Sequence, residues 1–155
     1  MNKYKYKDLD ERKLGFFDKT LLALFVGFYP FLVSMYPMLP PLIGLAGYII
    51  IISFEKHTLF ALSGFFYLLN LEFNSSLPIL LSSFIIILIY VMLYSTLTLL
   101  IRCRVCLLFT LIALIDFVYY ISLFLYDFIF NTSSVVGDIF LIYYIVVDIL
   151  IGVFL

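Results

Sequence analysis

The sequence predicts an all-α fold, a polytopic transmembrane helical bundle of about six helices with its N-terminus in the cytoplasm. Composition supports this first: the 155 residues are 66% hydrophobic and 12% charged. Soluble domains are about 45–50% apolar and about 25% charged. The charges are also segregated, because the N-terminal 19 residues hold six of the nine Lys and Arg residues. Long uncharged stretches follow this tail, as is typical of an integral membrane protein.

The first apolar stretch predicts two helices after the polar tail of residues 1–19. Residues 20–54 carry no charge, and this stretch is too long for one crossing, which takes about 20 residues. Proline interrupts a helix because it lacks a backbone N–H and clashes with the preceding turn. The stretch contains three such interruptions, at Pro37, Pro40 and Pro41. We therefore predict a single helical domain over 20–155, whose first two spans lie near 20–37 and 41–54.

Short polar segments separate four further spans. They are EKH at 55–57, the segment from Glu72 to Pro78, RCR at 102–104 and a loop near 128–137. The resulting spans lie near 58–71, 78–101, 105–127 and 138–155. The second and third spans have about 14 apolar residues, fewer than the roughly 20 that cross a bilayer core. We interpret them as short tilted spans sheltered by neighbours; the alternative is a hairpin that enters the membrane only partway.

The distribution of basic residues orients the predicted bundle. With a cytoplasmic N-terminus, the inner segments hold all nine Lys and Arg residues: six in the tail, then Lys56, Arg102 and Arg104. The predicted outer loops, near 38–41, 72–77 and 128–137, hold none. This asymmetry follows the positive-inside rule. It predicts a multi-pass membrane protein in contact with membrane lipid, with its N-terminus in the cytoplasm.

Small residues within the apolar segments predict close helix packing, because helices in lipid associate through backbone proximity and hydrogen bonds. The residues are Gly27, Gly44, Gly47, Ser63, Gly64, Ser82 and Ser83. No internal repeat is evident from the sequence.

Four acids lie in the last two predicted spans. Asp127 and Asp138 flank the outer loop and are interpreted as a solvated boundary. Asp116 lies 11 residues before Asp127, and Asp148 lies 10 residues after Asp138. In an antiparallel hairpin both acids would therefore fall at one depth, near mid-membrane. A buried carboxylate is unfavourable in hydrocarbon, so such residues are functional candidates by default.

Each of these two acids has a tyrosine one helical turn away on the same face. Tyr120 is four residues after Asp116, and Tyr144 is four residues before Asp148. A phenol hydroxyl can donate to a carboxyl oxygen without any base, and the chain has no Lys, Arg or His beyond Arg104. Three interpretations stay open: an internal Asp–Tyr polar cluster, a contact with a partner's transmembrane segment, or movement of a proton or solute.

No catalytic motif, cofactor site or metal site is expected. Cys103 and Cys106 form a C-x-x-C flanked by arginines, which would lower a thiol pKa, but we favour palmitoylation or packing over a redox role. A zinc site would need further ligands, and the chain has only one histidine, His57. The near-neutral net charge of -1 gives no indication of nucleic-acid binding.

The segment from Pro37 to Tyr94 resembles MreD, a small polytopic rod-shape-determining membrane protein. The resemblance lies in a proline-led apolar stretch, YPMLPPLIGLAGYIIII, followed by HTLFALSGFFYLLNLEF, the turn NSSLP and the long apolar run ILLSSFIIILIYVMLY. The chain length and the cytoplasmic N-terminus agree with that family. The resemblance suggests Gly64 and Asn70 as candidate contacts.

The resemblance implies a non-enzymatic scaffold subunit of the cell-elongation machinery, which makes peptidoglycan and determines rod shape. Its expected partners are other membrane proteins, an MreC-like protein and a peptidoglycan synthase, docked through transmembrane helices. The rival hypothesis is a small transporter, or the substrate-binding subunit of one, that uses the intramembrane Asp116 and Asp148.

Overall fold

Six helices make up the described part of the chain in a computed structural model, which describes residues 16–36, 38–54, 58–75, 77–131 and 140–154. They are α1 (Phe16–Met35), α2 (Ile43–Ser53), α3 (Thr58–Asn74), α4 (Leu81–Leu100), α5 (Arg104–Phe130) and α6 (Phe140–Phe154). These bounds agree with the predicted segments to within a few residues. Among the described residues there is no strand, so the all-α prediction is confirmed.

Helix α2 forms the centre of the bundle. It contacts α3, α5 and α6 closely and α4 more lightly, while α1 packs on α3, and α6 on α5. The core is built from the apolar residues of α2 and the faces of α3, α4 and α5 that meet it. Helix α2 is hydrophobic all round, and such a helix is stable only when neighbours enclose it.

Two helices are long and apolar enough to cross a membrane, Leu81–Leu100 and Val105–Phe130. Helices α1, α2 and α6 are also apolar, but the apolar stretch of each is shorter than in these two helices. Helix α4 contains a π-helical turn at Tyr90–Tyr94 and has no buried residue from Tyr90 to its end. Its second half therefore packs only against the edge of the core, through partly buried residues such as Leu93 and Leu97.

The predicted close helix contacts are confirmed at Gly64 but not at Gly27. A Cβ added at Gly64 would lie 2.7 Å from Ile50 Cγ1, so α3 reaches α2 only because this residue lacks a side chain. A Cβ added at Gly27 would have nothing within 4 Å, so the packing prediction for Gly27 is wrong. The predicted tail lies mostly outside the described residues, as do Lys56, His57 and Asp138.

Candidate functional site: two acids at a buried helix N-terminus

Asp148 of α6 caps the N-terminus of α2. Its Oδ2 atom accepts hydrogen bonds from the backbone N–H of Gly44 at 3.1 Å and of Leu45 at 3.5 Å. The first N–H groups of a helix have no acceptor within the helix, and they carry partial positive charge. A carboxylate at this position satisfies both needs, and the side chain of Asp148 is only 2% exposed.

The chain enters α2 through an unusual backbone conformation that suits an anion. Leu42 precedes the helix in the left-handed region, at φ 51° and ψ 36°. This region is disfavoured for a residue with a Cβ. A left-handed residue followed by a right-handed one points successive N–H groups toward one side, which forms an anion-binding concavity. The disfavoured conformation of Leu42 therefore helps to direct backbone N–H groups toward the carboxylate that binds there.

Asp116 of α5 reaches the same point of α2 from the other side. A Cβ added at Gly44 would lie 2.6 Å from Asp116 Oδ2 and 2.7 Å from its Cγ. Only glycine leaves room there, because real Cβ atoms do not approach other atoms so closely. Asp116 is 3% exposed. The structure therefore brings Asp116 and Asp148 together at one glycine, in the shared layer that the sequence suggested, but the glycine of α2 between them was not expected.

The tyrosines belong to this layer but do not supply the bonds that the sequence suggested. Tyr120 is an electrostatic neighbour of Asp116, Asp148 and Tyr144. The donors to Asp148, however, are backbone amides of α2 rather than phenol hydroxyls. Asp116 Oδ2 and Asp148 Oδ1 have no hydrogen-bond partner among the described residues. The sequence could not show this because the amides come from a helix about 100 residues away.

Two other tyrosines, which the sequence analysis missed, fix the turn that leads into α2. The hydroxyl of Tyr29 in α1 donates to the Pro40 carbonyl at 3.0 Å. The hydroxyl of Tyr67 in α3 donates to the Pro41 carbonyl at 2.7 Å. Both carbonyls lie in the non-helical segment before α2 and do not receive a hydrogen bond from a helix N–H. The tyrosine hydroxyls supply the donors that these carbonyls would otherwise lack.

A second carboxylate, Glu72 of α3, caps α4 in a similar way. Its Oε2 accepts from Leu80 N–H at 2.8 Å, and its Oε1 accepts from Ser82 N–H at 2.7 Å. Leu80 is left-handed, at φ 70° and ψ 3°, and Glu72 is fully buried at 0% exposure. The sequence analysis placed Glu72 in a polar turn, and that interpretation is wrong: the acid lies inside the bundle.

A short sequence recurrence accompanies these two caps. The segment LPPLIG at 39–44 and the segment LPILLS at 77–82 share the pattern Leu-Pro-x-Leu followed by Ile or Leu and a small residue. In each, the second leucine is left-handed and the small residue donates its N–H to a buried carboxylate. This six-residue pattern is not a repeat of whole helices, but it was the available sequence signal for both caps.

Asn70, a candidate contact from the sequence, binds inside the protein. Its Nδ2 donates to the carbonyls of Val26 and Gly27 in α1, each at 3.1 Å. The residue four positions after Val26 is Pro30, which has no N–H to offer. The helix therefore leaves the Val26 carbonyl without its usual donor, and Asn70 of α3 supplies one.

The two cysteines lie together at the start of α5. Cys103 is the residue before the helix, Cys106 follows three residues later, and both are exposed. A hydrogen bond from the Cys106 side chain lowers the pKa of the Cys103 thiol. Within the described ranges, no group of three or more His, Cys, Asp or Glu side chains could hold a metal ion.

Comparison with known proteins gives no assignment. Searches of protein families, of curated proteins and of solved structures each found no match to this chain.

Proposed function

We propose that this chain is a non-enzymatic, MreD-like scaffold subunit of the cell-elongation machinery in the bacterial inner membrane. It would dock an MreC-like protein and a peptidoglycan synthase through its transmembrane helices, with its N-terminus in the cytoplasm. The observation that carries this proposal is the contrast between the buried and the exposed side chains. The buried polar groups described above hold the bundle together, whereas the exterior presents apolar surface and apolar grooves.

The exterior is apolar on α1, α3, α4, α5 and α6. Large hydrophobic side chains are exposed on each of these helices, for example Phe128 at 84% and Leu99 at 81%. Soluble monomers rarely expose contiguous apolar surface on this scale, and such surface indicates membrane or protein contacts. This supports a multi-pass membrane location, with lipid and partner helices as the covering groups.

Two grooves on this exterior are shaped for contact with another helix. One, of about 530 Å³, runs between α1 and α3 and is lined by Val26, Gly27, Leu62 and Phe66 among others. The second, of about 590 Å³, lies where α2, α3 and α4 meet. Leu62 lines both grooves. In a membrane, helices associate through close packing at such small-residue surfaces, and the open space at Gly27 is such a surface.

The acids are poor candidates for the docking contact itself. Asp116 and Asp148 are 3% and 2% exposed, so a partner helix could not reach them without unpacking α2. Their role in a scaffold is to lock α2, α5 and α6 together. The interpretation of Asp116, Tyr120, Tyr144 and Asp148 as an internal polar cluster is therefore favoured over a direct partner contact.

The experiment places a larger side chain in the groove between α1 and α3 and measures whether a partner still co-purifies. Gly27→Leu begins a side chain in open space, since nothing lies within 4 Å of the Cβ position, so we expect the bundle itself to stay folded. We expect it to abolish co-purification of the MreC-like protein in mild detergent from cells that carry the full chain. Phe128→Leu, on an exposed part of α5 outside both grooves, is the matched control. Retention of every partner by the folded Gly27→Leu protein would contradict the docking proposal.

The transporter hypothesis rests on the unpartnered oxygens of Asp116 and Asp148. It requires a polar path from the surface to these acids. Neither acid lines either of the two grooves described above. Solute uptake that is lost in Asp116→Asn, with all partners retained, would favour this hypothesis over the scaffold.

A further inference from the structure

We propose that Asp116 and Asp148 form a proton-binding site at the N-terminus of α2, where the pair holds one proton and one negative charge. The proposal goes beyond the scaffold function and does not depend on it. It rests on the geometry of the two carboxyl groups and on the charges of the helices that surround them.

The amides at this helix N-terminus favour one of the two carboxyl groups, since Asp148 interacts with the amides of Gly44 and Leu45 and Asp116 with that of Gly44 alone. Both the Gly44 and the Leu45 N–H donate to a single atom, Asp148 Oδ2. The partial positive charge of a helix N-terminus is about half an elementary charge. It can offset part of one carboxylate but not two. Asp148 is therefore the member of the pair that holds the negative charge.

Asp116 has a smaller set of donors than Asp148, because the Gly44 amide reaches it but the Leu45 amide does not. Its Oδ2 lies against the backbone of Gly44 and has no hydrogen-bond partner within the described part of the chain. A second buried anion this close to Asp148 would be disfavoured by desolvation and by repulsion from its neighbour. Protonation removes that charge and converts Asp116 into a donor. The unpartnered Asp148 Oδ1 is an acceptor in the same cluster.

Among the side chains that the structure describes, no buried cation on the helices packed around the pair can replace the proton. The titratable neighbours are tyrosines: Tyr29 of α1, Tyr67 of α3 and Tyr120 of α5. The hydroxyls of Tyr29 and Tyr67 already donate to the carbonyls of Pro40 and Pro41. The cationic side chains that the structure describes, Lys19 and Arg102, are exposed.

On α6, Tyr143 and Tyr144 are the other ionisable residues, and a phenol carries no positive charge in either protonation state. On α2, the only ionisable side chain in the described range is Tyr48. Helix α4 contributes Tyr90 and Tyr94, which pack against the edge of the core. The carboxyl group of Glu72 is already used in capping α4. The described side chains of the surrounding helices therefore offer the pair no buried positive charge, which favours a proton there.

The direct test is infrared spectroscopy on the purified full chain with isotope-labelled aspartate. At neutral pH we expect a carbonyl band of a protonated aspartic acid that shifts on deuteration. The band should be lost in Asp116→Asn and retained in Asp127→Asn, the matched control on the same helix. Absence of any protonated aspartate band in the wild type would overturn the proposal. That result does not depend on whether the variants fold.

A second measurement follows thermal unfolding against pH in detergent. Loss of the proton at alkaline pH leaves two buried charges, so the wild-type Tm should fall there, and Asp116→Asn should remove most of that fall. Asp148→Asn should lower the Tm at every pH because it weakens the cap on α2. Equal losses in both variants would contradict the assignment of the proton to Asp116. If the Tm changes when choline replaces sodium in the buffer, a metal cation rather than a proton occupies the site.

Discussion

The amide of Gly44 in α2 donates a hydrogen bond to the carboxylate of Asp148 in α6, at 3.1 Å and across 104 residues of sequence. The same glycine touches Asp116 of α5. One residue without a side chain therefore joins three helices, and the central helix of the bundle begins at a carboxylate rather than at a side-chain cap of its own.

Replacement of Gly44 by alanine should destabilise the protein strongly. The added Cβ would lie 2.6 Å from Asp116 Oδ2, so the Asp116 side chain or one of the two helices must move, and overpacking of this kind typically costs about 1–3 kcal/mol. Thermal unfolding in detergent measures the effect as a lower Tm. Gly27→Ala is the control, because nothing lies within 4 Å of its Cβ position. An unchanged Tm in Gly44→Ala would contradict the close approach.

Glu72→Ala should destabilise the junction of α3 and α4. Two N–H groups, of Leu80 and Ser82, would lose their acceptor. A buried donor left unpaired costs about 1–3 kcal/mol, so we expect a loss of at least about 2 kcal/mol in the free energy of unfolding. Ser82→Ala tests the mechanism, since Glu72 contacts the Ser82 backbone and the hydroxyl has no partner in the described chain. That variant should be near neutral; a loss equal to that of Glu72→Ala would assign the effect to the hydroxyl instead.

Asn70→Ala should weaken the packing of α1 on α3 by about 1–2 kcal/mol, through the loss of two hydrogen bonds. The effect should depend on Pro30, because an alanine there would restore an N–H for the Val26 carbonyl. A double-mutant cycle with Pro30→Ala isolates this dependence as a coupling of at least about 0.5 kcal/mol. Strict additivity of the two substitutions would mean that Asn70 does not compensate for the proline.

Cys103 should react with alkylating reagents faster than a cysteine without a donor nearby. The hydrogen bond from Cys106 lowers the pKa of the Cys103 thiol, which increases the thiolate fraction at a given pH, and the thiolate is the nucleophile. Cys106→Ala should therefore shift the pH profile of Cys103 alkylation upward, as measured by mass spectrometry. An unchanged profile would show that the contact between the thiols does not affect reactivity.

Sequence patterns predicted the helices well because their signals are local. The prolines at 37, 40 and 41, the polar segment after Glu72 and the arginines around Cys103 each interrupt an apolar run, and the helices end near these points. The nearly equal spacing of Asp116 and Asp148 from the loop, 11 and 10 residues, also pointed to a shared layer, and that layer depends only on helical rise. The membrane orientation and the cellular role stay predictions.

The apolar composition and the spacing of breaks were enough to determine an all-helical chain with two acids near one level. Tertiary structure alone decided what those acids do, because their partners are backbone amides of α2, which no side-chain pattern on α5 or α6 can specify. The same holds for Glu72, which the sequence placed in a polar turn and the fold placed at 0% exposure. The first N–H groups of a helix are arranged as donors only once the helix has formed. Which carboxylate accepts from them depends on how the helices pack.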